Sequence, residues 1–327
     1  MNDSPQPLLS VRNLQVQFPT RRGALTALHD VSFDVMPGEI LGVVGESGAG
    51  KSMTGNAVIG LLEPPGRISK GEVLFNGQDL TQLTWNELRK IRGRDIGAIF
   101  QDPLTSLNPL YTIGDLLVET ILTHLPIGQT EARQRAIAML GEVGIPAAGE
   151  RFDHYPHQFS GGMRQRVVIA LALCAEPRLI IADEPTTALD VSVQAQIINL
   201  LKRLCKDHGT AVVLVTHDMG VIAETADRVC VMYAGRIVEI GPVRQVIQEP
   251  RHPYTRGLME AIPHAGGALT ELAQIEGSMP GLNDIPRGCA FHPRCPEVHD
   301  PCTRSLPSLV EVAEGQRAAC HLYGSAP

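Results

Sequence analysis

Eight residues near the start of the chain, Gly45-Glu46-Ser47-Gly48-Ala49-Gly50-Lys51-Ser52, have the types and spacing that phosphate chemistry needs. They fit the pattern G-x-x-x-x-G-K-[ST]. Glycines let the backbone curl so that successive N–H groups point at phosphate oxygens. The helix that follows the loop would add its positive N-terminal end, and Met53, next after Ser52, is a further candidate ATP-binding residue. Lys51 is expected to bridge the terminal phosphates, and the Ser52 hydroxyl to bind Mg²⁺. The competing reading is a chance glycine loop, which the apolar run before it and the helical run after it argue against.

Other residues could complete that chemistry. Asp183 ends the apolar run Leu179-Ile-Ile-Ala-Asp183, where a carboxylate at the carboxyl edge of a parallel sheet can hold a metal shell. Glu184 follows, so its side chain points the other way and can face an attacking water. Gln101 closes Ile96-Gly-Ala-Ile-Phe-Gln101, and His217 follows Ala211-Val-Val-Leu-Val-Thr216, so both are expected at the same edge. Read alone, a strand-end histidine is as often structural as functional, and an ordinary acidic strand-to-loop boundary is the lesser competing reading for Asp183 and Glu184. Ser160-Gly161-Gly162-Met163 opens an apolar helix and is a second helix N-terminus suited to phosphate, although by itself a plain helix cap is the better reading. One chain cannot readily bring two distant phosphate loops to one nucleotide. A head-to-tail dimer can.

These residues need elements to hold them. Four short apolar runs, at 39–45, 96–101, 179–183 and 211–216, read as buried strands. Between the last two, Val193, Ile197, Leu200, Leu201 and Leu204 recur at helical spacing, with Asp190 at the start and Gly209 at the end as caps. Buried strands alternating with amphipathic helices predict an α/β fold with a parallel sheet, the P-loop NTPase (RecA-like) class. Helical periodicity without a clear strand predicts an inserted helical subdomain over about 103–175. From about residue 250, frequent prolines break the pattern into a loop-rich tail.

Composition narrows the classes. The chain has 327 residues, 43% hydrophobic, with a net charge of −7. Neither disorder nor a binder of nucleic acid held by bulk positive charge fits these values. The longest unbroken apolar run, Val167 to Ala175, falls far short of the roughly 20 residues a spanning helix needs. The first residues, Met-Asn-Asp-Ser-Pro-Gln-Pro, do not read as a signal peptide, so a cytoplasmic location is expected. No Asn-Lys-x-Asp motif supports a guanine-nucleotide reading.

In this order the motifs resemble those of the ATP-binding subunits of ATP-binding cassette (ABC) transporters, over about residues 8 to 250. The resemblance implies Walker A at Gly45–Ser52, the Q-loop glutamine at Gln101, the signature loop at Ser160–Met163, and Walker B with the catalytic glutamate at Asp183 and Glu184. It implies the D-loop at Ala188-Leu189-Asp190, the switch histidine at His217, and an adenine-stacking aromatic at Phe18. ATP would be hydrolysed with Mg²⁺ held through Ser52, Gln101 and Asp183. The signature reads Phe-Ser-Gly-Gly-Met, where the family commonly has Leu first and Gln last, but its Ser-Gly-Gly core is intact. The segments Phe100–Pro109, His154–Arg166, His252–Leu258 and Gly288–Pro296 are similar to those of dipeptide and oligopeptide importers. Nickel importers share much of this pattern.

The resemblance therefore implies a peripheral ATPase at the cytoplasmic face of the inner membrane, powering peptide import. Its partners would be a second ABC ATPase subunit, two transmembrane permease subunits and a periplasmic peptide-binding protein, with no nucleic acid. An ATPase of nickel import and a soluble ABC ATPase acting on nucleic acid are the alternatives. The chain would divide into an ABC ATPase domain, 1–250, and a small C-terminal Cys-rich module, 251–327. Cys289, Cys295, Cys302 and Cys320 lack the tight Cys-x2–4-Cys knuckle usual for zinc. Their similarity to the peptide-importer tail favours a [4Fe–4S] cluster, with zinc and unligated or disulfide-bonded thiols left open. Cys174, Cys205 and Cys230 are expected to be buried filler.

Overall fold

A computed structural model describes residues 6–21, 23–186, 190–261 and 274–324. Its strands are β1 (Leu9–Thr20), β2 (Gly23–Val35), β3 (Ile40–Val44), β4 (Arg67–Phe75), β5 (Gln78–Asp79), β6 (Ile96–Ile99), β7 (Leu179–Asp183), β8 (Ala211–Val215), β9 (Arg228–Tyr233), β10 (Arg236–Pro242), β11 (Val310–Ala313) and β12 (Gln316–Ala318). The four strands expected from apolar runs are β3, β6, β7 and β8. The chain divides into two compact units, each made of separated segments.

The first unit comprises Met1–Leu8, Val35–Ile40 and Gln82–Leu214. Its strands run in the order β8-β7-β6, and β6 and β7 are parallel with Ile99 opposite Ala182. Leu179, Ile180, Ile181 and Ala182 are all buried. A strand covered on both faces reads as a continuous apolar run for that reason. The expected helical insertion is present as Pro103–Ser106, Ile113–His124, Gln129–Glu142, Ala148–Arg151 and Gly161–Leu173. Thr112 starts the second of these with a capping box. Its hydroxyl accepts from the Asp115 N–H, and the Asp115 carboxylate accepts from the Thr112 N–H. Helix Val191–His208 buries Ile197, Leu200, Leu201 and Leu204 and stops at Gly209, whose φ is 66°. Asp190 stands at its N-cap, but the carboxylate makes no capping bond.

The second unit comprises Leu9–Asp34, Leu41–Thr81 and Val215–Pro327. One sheet, in the order β2-β1-β4-β5, includes the antiparallel pairs β1–β4 and β4–β5. Along β1 the buried Leu9, Val11, Leu14 and Val16 form its core face. The second set of strands runs β11-β12-β10-β9-β3, with β3 parallel to β9 and the other pairs antiparallel.

The C-terminal segment does not stand apart as a distinct Cys-rich module. β12 pairs with β10, Glu239 opposite Ala318, and the Ala319 N–H donates to the Val238 carbonyl at 2.8 Å. The tail completes an existing sheet because a proline-broken segment has too little apolar surface for a core of its own.

Candidate active site

In the second unit, Gly45 leaves β3 and the helix Lys51–Val58 begins with Gly50 at its N-cap. Gly45 has φ 152°, and a Cβ there would lie 2.3 Å from the Met232 carbonyl oxygen. Glycine is therefore required by both backbone angle and space. The helix N-cap, Gly50, carries no side-chain bond, and the positive end of the helix dipole there favours an anion. Ala49 is buried, while Ser47, Gly48 and Ser52 are exposed and Met53 is half-buried. Lys51 is 6% exposed and its Nζ donates to the carbonyls of Gly45 at 2.8 Å and Glu46 at 3.0 Å. These bonds hold the ammonium folded over its own loop, where a phosphate would meet it.

Glu46 is more constrained than the motif suggests. Its N–H donates to the Tyr254 hydroxyl at 2.8 Å, and its carboxylate takes both arms of Arg294 at 2.7 and 3.0 Å. The exposed His217 precedes Asp218, whose carboxylate caps helix Met219–Thr225 by accepting from Gly220 and Val221. Phe18 is half-buried on β1 and its ring edge crowds Gly66, where a Cβ would lie 2.8 Å away.

In the first unit, β6 and β7 deliver Gln101 and Glu184 to one edge, and Gln101 Nε2 donates to Glu184 Oε2 at 3.1 Å. Glu184 has φ 45°, in the left-handed region that a non-glycine residue occupies at a cost. Asp183, the last residue of β7, is half-buried. Ser160 caps helix Gly161–Leu173, its hydroxyl accepting from the Met163 N–H. A Cβ on Gly162 would come within 2.8 Å of Val193 Cγ1, so glycine also serves close packing against the next helix. Gly161 remains exposed beside Ser160. Ala188 and Leu189 lie outside the described residues, and Asp190 is exposed.

The chain is similar to known proteins in sequence and in fold. The ABC transporter family model matches residues 28–187, and that of the oligopeptide/dipeptide transporter C-terminal region matches 238–302. The dipeptide transport ATP-binding protein of Bacillus subtilis is 48% identical over 97% of this chain and 95% of its own length. The oligopeptide transport ATP-binding protein of Salmonella typhimurium is 47% identical over 97% of this chain and 95% of its own. The chain belongs to the ATP-binding subunits of peptide ABC transporters. An ATP-binding cassette solved as a dimer in a post-hydrolysis state, with ADP and Pi, superposes with a TM-score of 0.65 at 31% identity, covering 72% of this chain and 99% of that one. A cassette from Clostridium perfringens, part of an ABC transporter complex, gives 0.64 at 28%, covering 74% and 91%. The fold is therefore the P-loop ABC ATPase fold with its helical subdomain.

For this ABC ATPase the iron–sulfur expectation requires correction. Cys289, Cys295, Cys302 and Cys320 border one small pocket with His292, His299 and His321. Yet among the described residues no group of three or more His, Cys, Asp or Glu side chains is placed to hold a metal ion. Burial pushes the Cys289 and Cys295 thiols up, and Cys320 up to about 11. All seven cysteines are free. Cys174, Cys205 and Cys230 are buried as expected, each thiol pushed up to about 12 by desolvation.

Sequence reasoning missed Tyr254 and Arg294 as neighbours of the phosphate loop. Both lie in segments that resemble the peptide importers, His252-Pro-Tyr-Thr-Arg and Phe-His-Pro-Arg-Cys. Nothing in their spacing shows which distant residue they touch.

Proposed function

We infer that this chain hydrolyses ATP to power import of dipeptides or oligopeptides through a membrane ABC transporter. The observation that carries this reading is the Gly45–Ser52 loop, with Lys51 folded over it, in a chain 48% identical to a dipeptide transport ATP-binding protein over 97% of its length. Phe18 would stack on adenine, and Gly45 to Met53 would cradle the phosphates. Ser160 to Met163, with Asp190, would act on the nucleotide of the opposite subunit. Ser52, Gln101 and Asp183 offer only oxygen donors, the set that Mg²⁺ takes, and they would hold it. Mg²⁺ would offset charge on the phosphate oxygens. Glu184 would orient the attacking water, with His217 contacting the γ-phosphate and Lys51 stabilising the developing charge. The Gln101–Glu184 bond supports a role for Gln101 in positioning that carboxylate.

The proposed assembly comprises a second ABC ATPase subunit, two permeases and a periplasmic peptide-binding protein, at the cytoplasmic face of the inner membrane. Residues 1–250 would form the ATPase segment and 251–327 the transporter-specific one, a division supported by the two family matches. Uptake of labelled dipeptides in a strain deleted for this chain tests the cargo. Wild-type chain should restore uptake, and Lys51→Ala should not. Restored nickel uptake without peptide uptake would overturn the peptide reading.

A further inference from the structure

The phosphate loop is tied to the C-terminal segment at Glu46. All three of its polar functions are engaged. Its N–H donates to Tyr254 Oη at 2.8 Å. Its carbonyl accepts from Lys51 Nζ at 3.0 Å. Its carboxylate receives Arg294 Nη1 at 2.7 Å and Nη2 at 3.0 Å.

The Arg294 side chain is only 6% exposed. Its remaining N–H groups go to the carbonyls of Glu276, Ile275 and Gly277 and to the Tyr233 hydroxyl. Its guanidinium also lies near the rings of Tyr233 and Phe291. Tyr254 is fully buried and packs edge-on against Tyr233, with ring centroids 4.7 Å apart. An arginine fork fixed on all sides presents its two arms in one geometry. Tyr254, Arg294 and their supports all belong to the last third of the sequence. All of them lie within the second unit.

We infer that Arg294, with Tyr254, is a positioning residue for nucleotide binding: it neutralises Glu46 and fixes the loop whose carbonyls hold Lys51. The inference rests on the ATP reading above but names a role for the C-terminal segment that the ATPase motifs do not contain. Two consequences follow from charge and geometry. Without Arg294, an uncompensated carboxylate would stand within the loop that receives an anionic ligand. The Glu46 side chain would also lose its clasp, leaving the Tyr254 bond to its N–H and the Gly45 carbonyl on Lys51 as the remaining ties, so the loop and Lys51 would be held less firmly. Arg294 touches no reacting atom, so its loss should act on ATP affinity more than on turnover.

The test measures Mg·ATP affinity of the full chain by competition against a fluorescent ATP analogue, together with KM and kcat. Arg294→Gln should weaken ATP binding about tenfold, the scale of one charge-assisted bond, with kcat changing less than about twofold. Arg294→Lys keeps the charge but loses the fork and should weaken binding about threefold. The double variant Glu46→Gln/Arg294→Gln removes the uncompensated charge and should recover affinity to within about threefold of wild type. A double variant as weak as Arg294→Gln, or Arg294→Gln and Arg294→Lys binding as wild type, would overturn the inference. Should Arg294→Gln fail to fold, Arg294→Lys and the double variant decide the matter by the same comparison. A wild-type chain that binds no ATP would instead overturn the ATPase reading along with it.

Discussion

His252 shows how burial sets the charge of one side chain. It is 1% exposed, and its Nδ1 accepts the Tyr254 N–H at 3.1 Å, capping helix Pro253–Glu260. Desolvation, helped by Arg256, lowers its pKa from 6.5 to about 3. The folded value lies below the unfolded one, so its contribution to stability is complete above pH 6.5 and is lost as pH falls toward 3. Between pH 6.5 and about pH 5 this one group should cost about 2 kcal/mol of unfolding free energy. His252→Asn keeps a capping acceptor and removes the titration, so urea unfolding should show a flatter pH dependence over that window. An unchanged slope would contradict this account. The sequence shows a histidine before Pro-Tyr but not that it is buried, because burial depends on what packs around it.

At the level of elements, Glu239 decides how the C-terminal segment is joined to the sheet. It sits within β10 and is completely buried. One carboxylate oxygen accepts from the Arg251 N–H at 2.9 Å and Gln316 Nε2 at 2.7 Å, and the other from the His252 N–H at 2.9 Å. Gln316, the first residue of β12, thereby holds that strand beside β10. Glu239→Ala would leave those buried donors unpaired and should lower stability by about 3 kcal/mol or more, read from denaturant midpoints. The same variant should make the bond after Arg317, at the end of β12, more susceptible to trypsin. Legibility differed sharply among elements. β3, β6, β7 and β8 announce themselves as apolar runs because both their faces are covered. The β2-β1-β4-β5 sheet does not, because only one face of β1 is consistently buried and its polar alternation resembles that of loops. β11 and β12 were equally hidden, since short strands owe their state to the edge they join.

At the scale of the whole molecule, the signature loop and the phosphate loop each present exposed residues. Ser160 and Gly161 are exposed at a helix N-terminus, and Ser47, Gly48 and Ser52 are exposed on the phosphate loop. No helix among the described residues is long and apolar enough to cross a membrane. If ATP joins two subunits head to tail, a variant that binds but does not cleave it should hold them together. Glu184→Gln should therefore retain ATP binding, lose nearly all turnover, and elute as a dimer in size-exclusion chromatography with ATP and as a monomer without it. The proposed partner is a second type of ATPase subunit, so the experiment is run with and without the candidate partner subunit. Full hydrolysis by Glu184→Gln would remove that residue from its proposed role.

The sequence by itself determined the ATPase motifs, their order, and the alternation of strand and helix that carries them. These features depend on local spacing and on backbone preferences within a few residues. Only the tertiary structure showed that Gln101 reaches Glu184, that Gly162 is needed for the approach of Val193, and that Glu46 is clasped by Tyr254 and Arg294 more than 200 positions away. It also corrected the tail. Four cysteines in sequence suggest a cluster, but among the described residues no group of three or more His, Cys, Asp or Glu is placed to hold a metal ion, and β12 makes their segment part of the β9–β10 sheet. Distances between remote residues follow from packing, and spacing along the chain does not encode them.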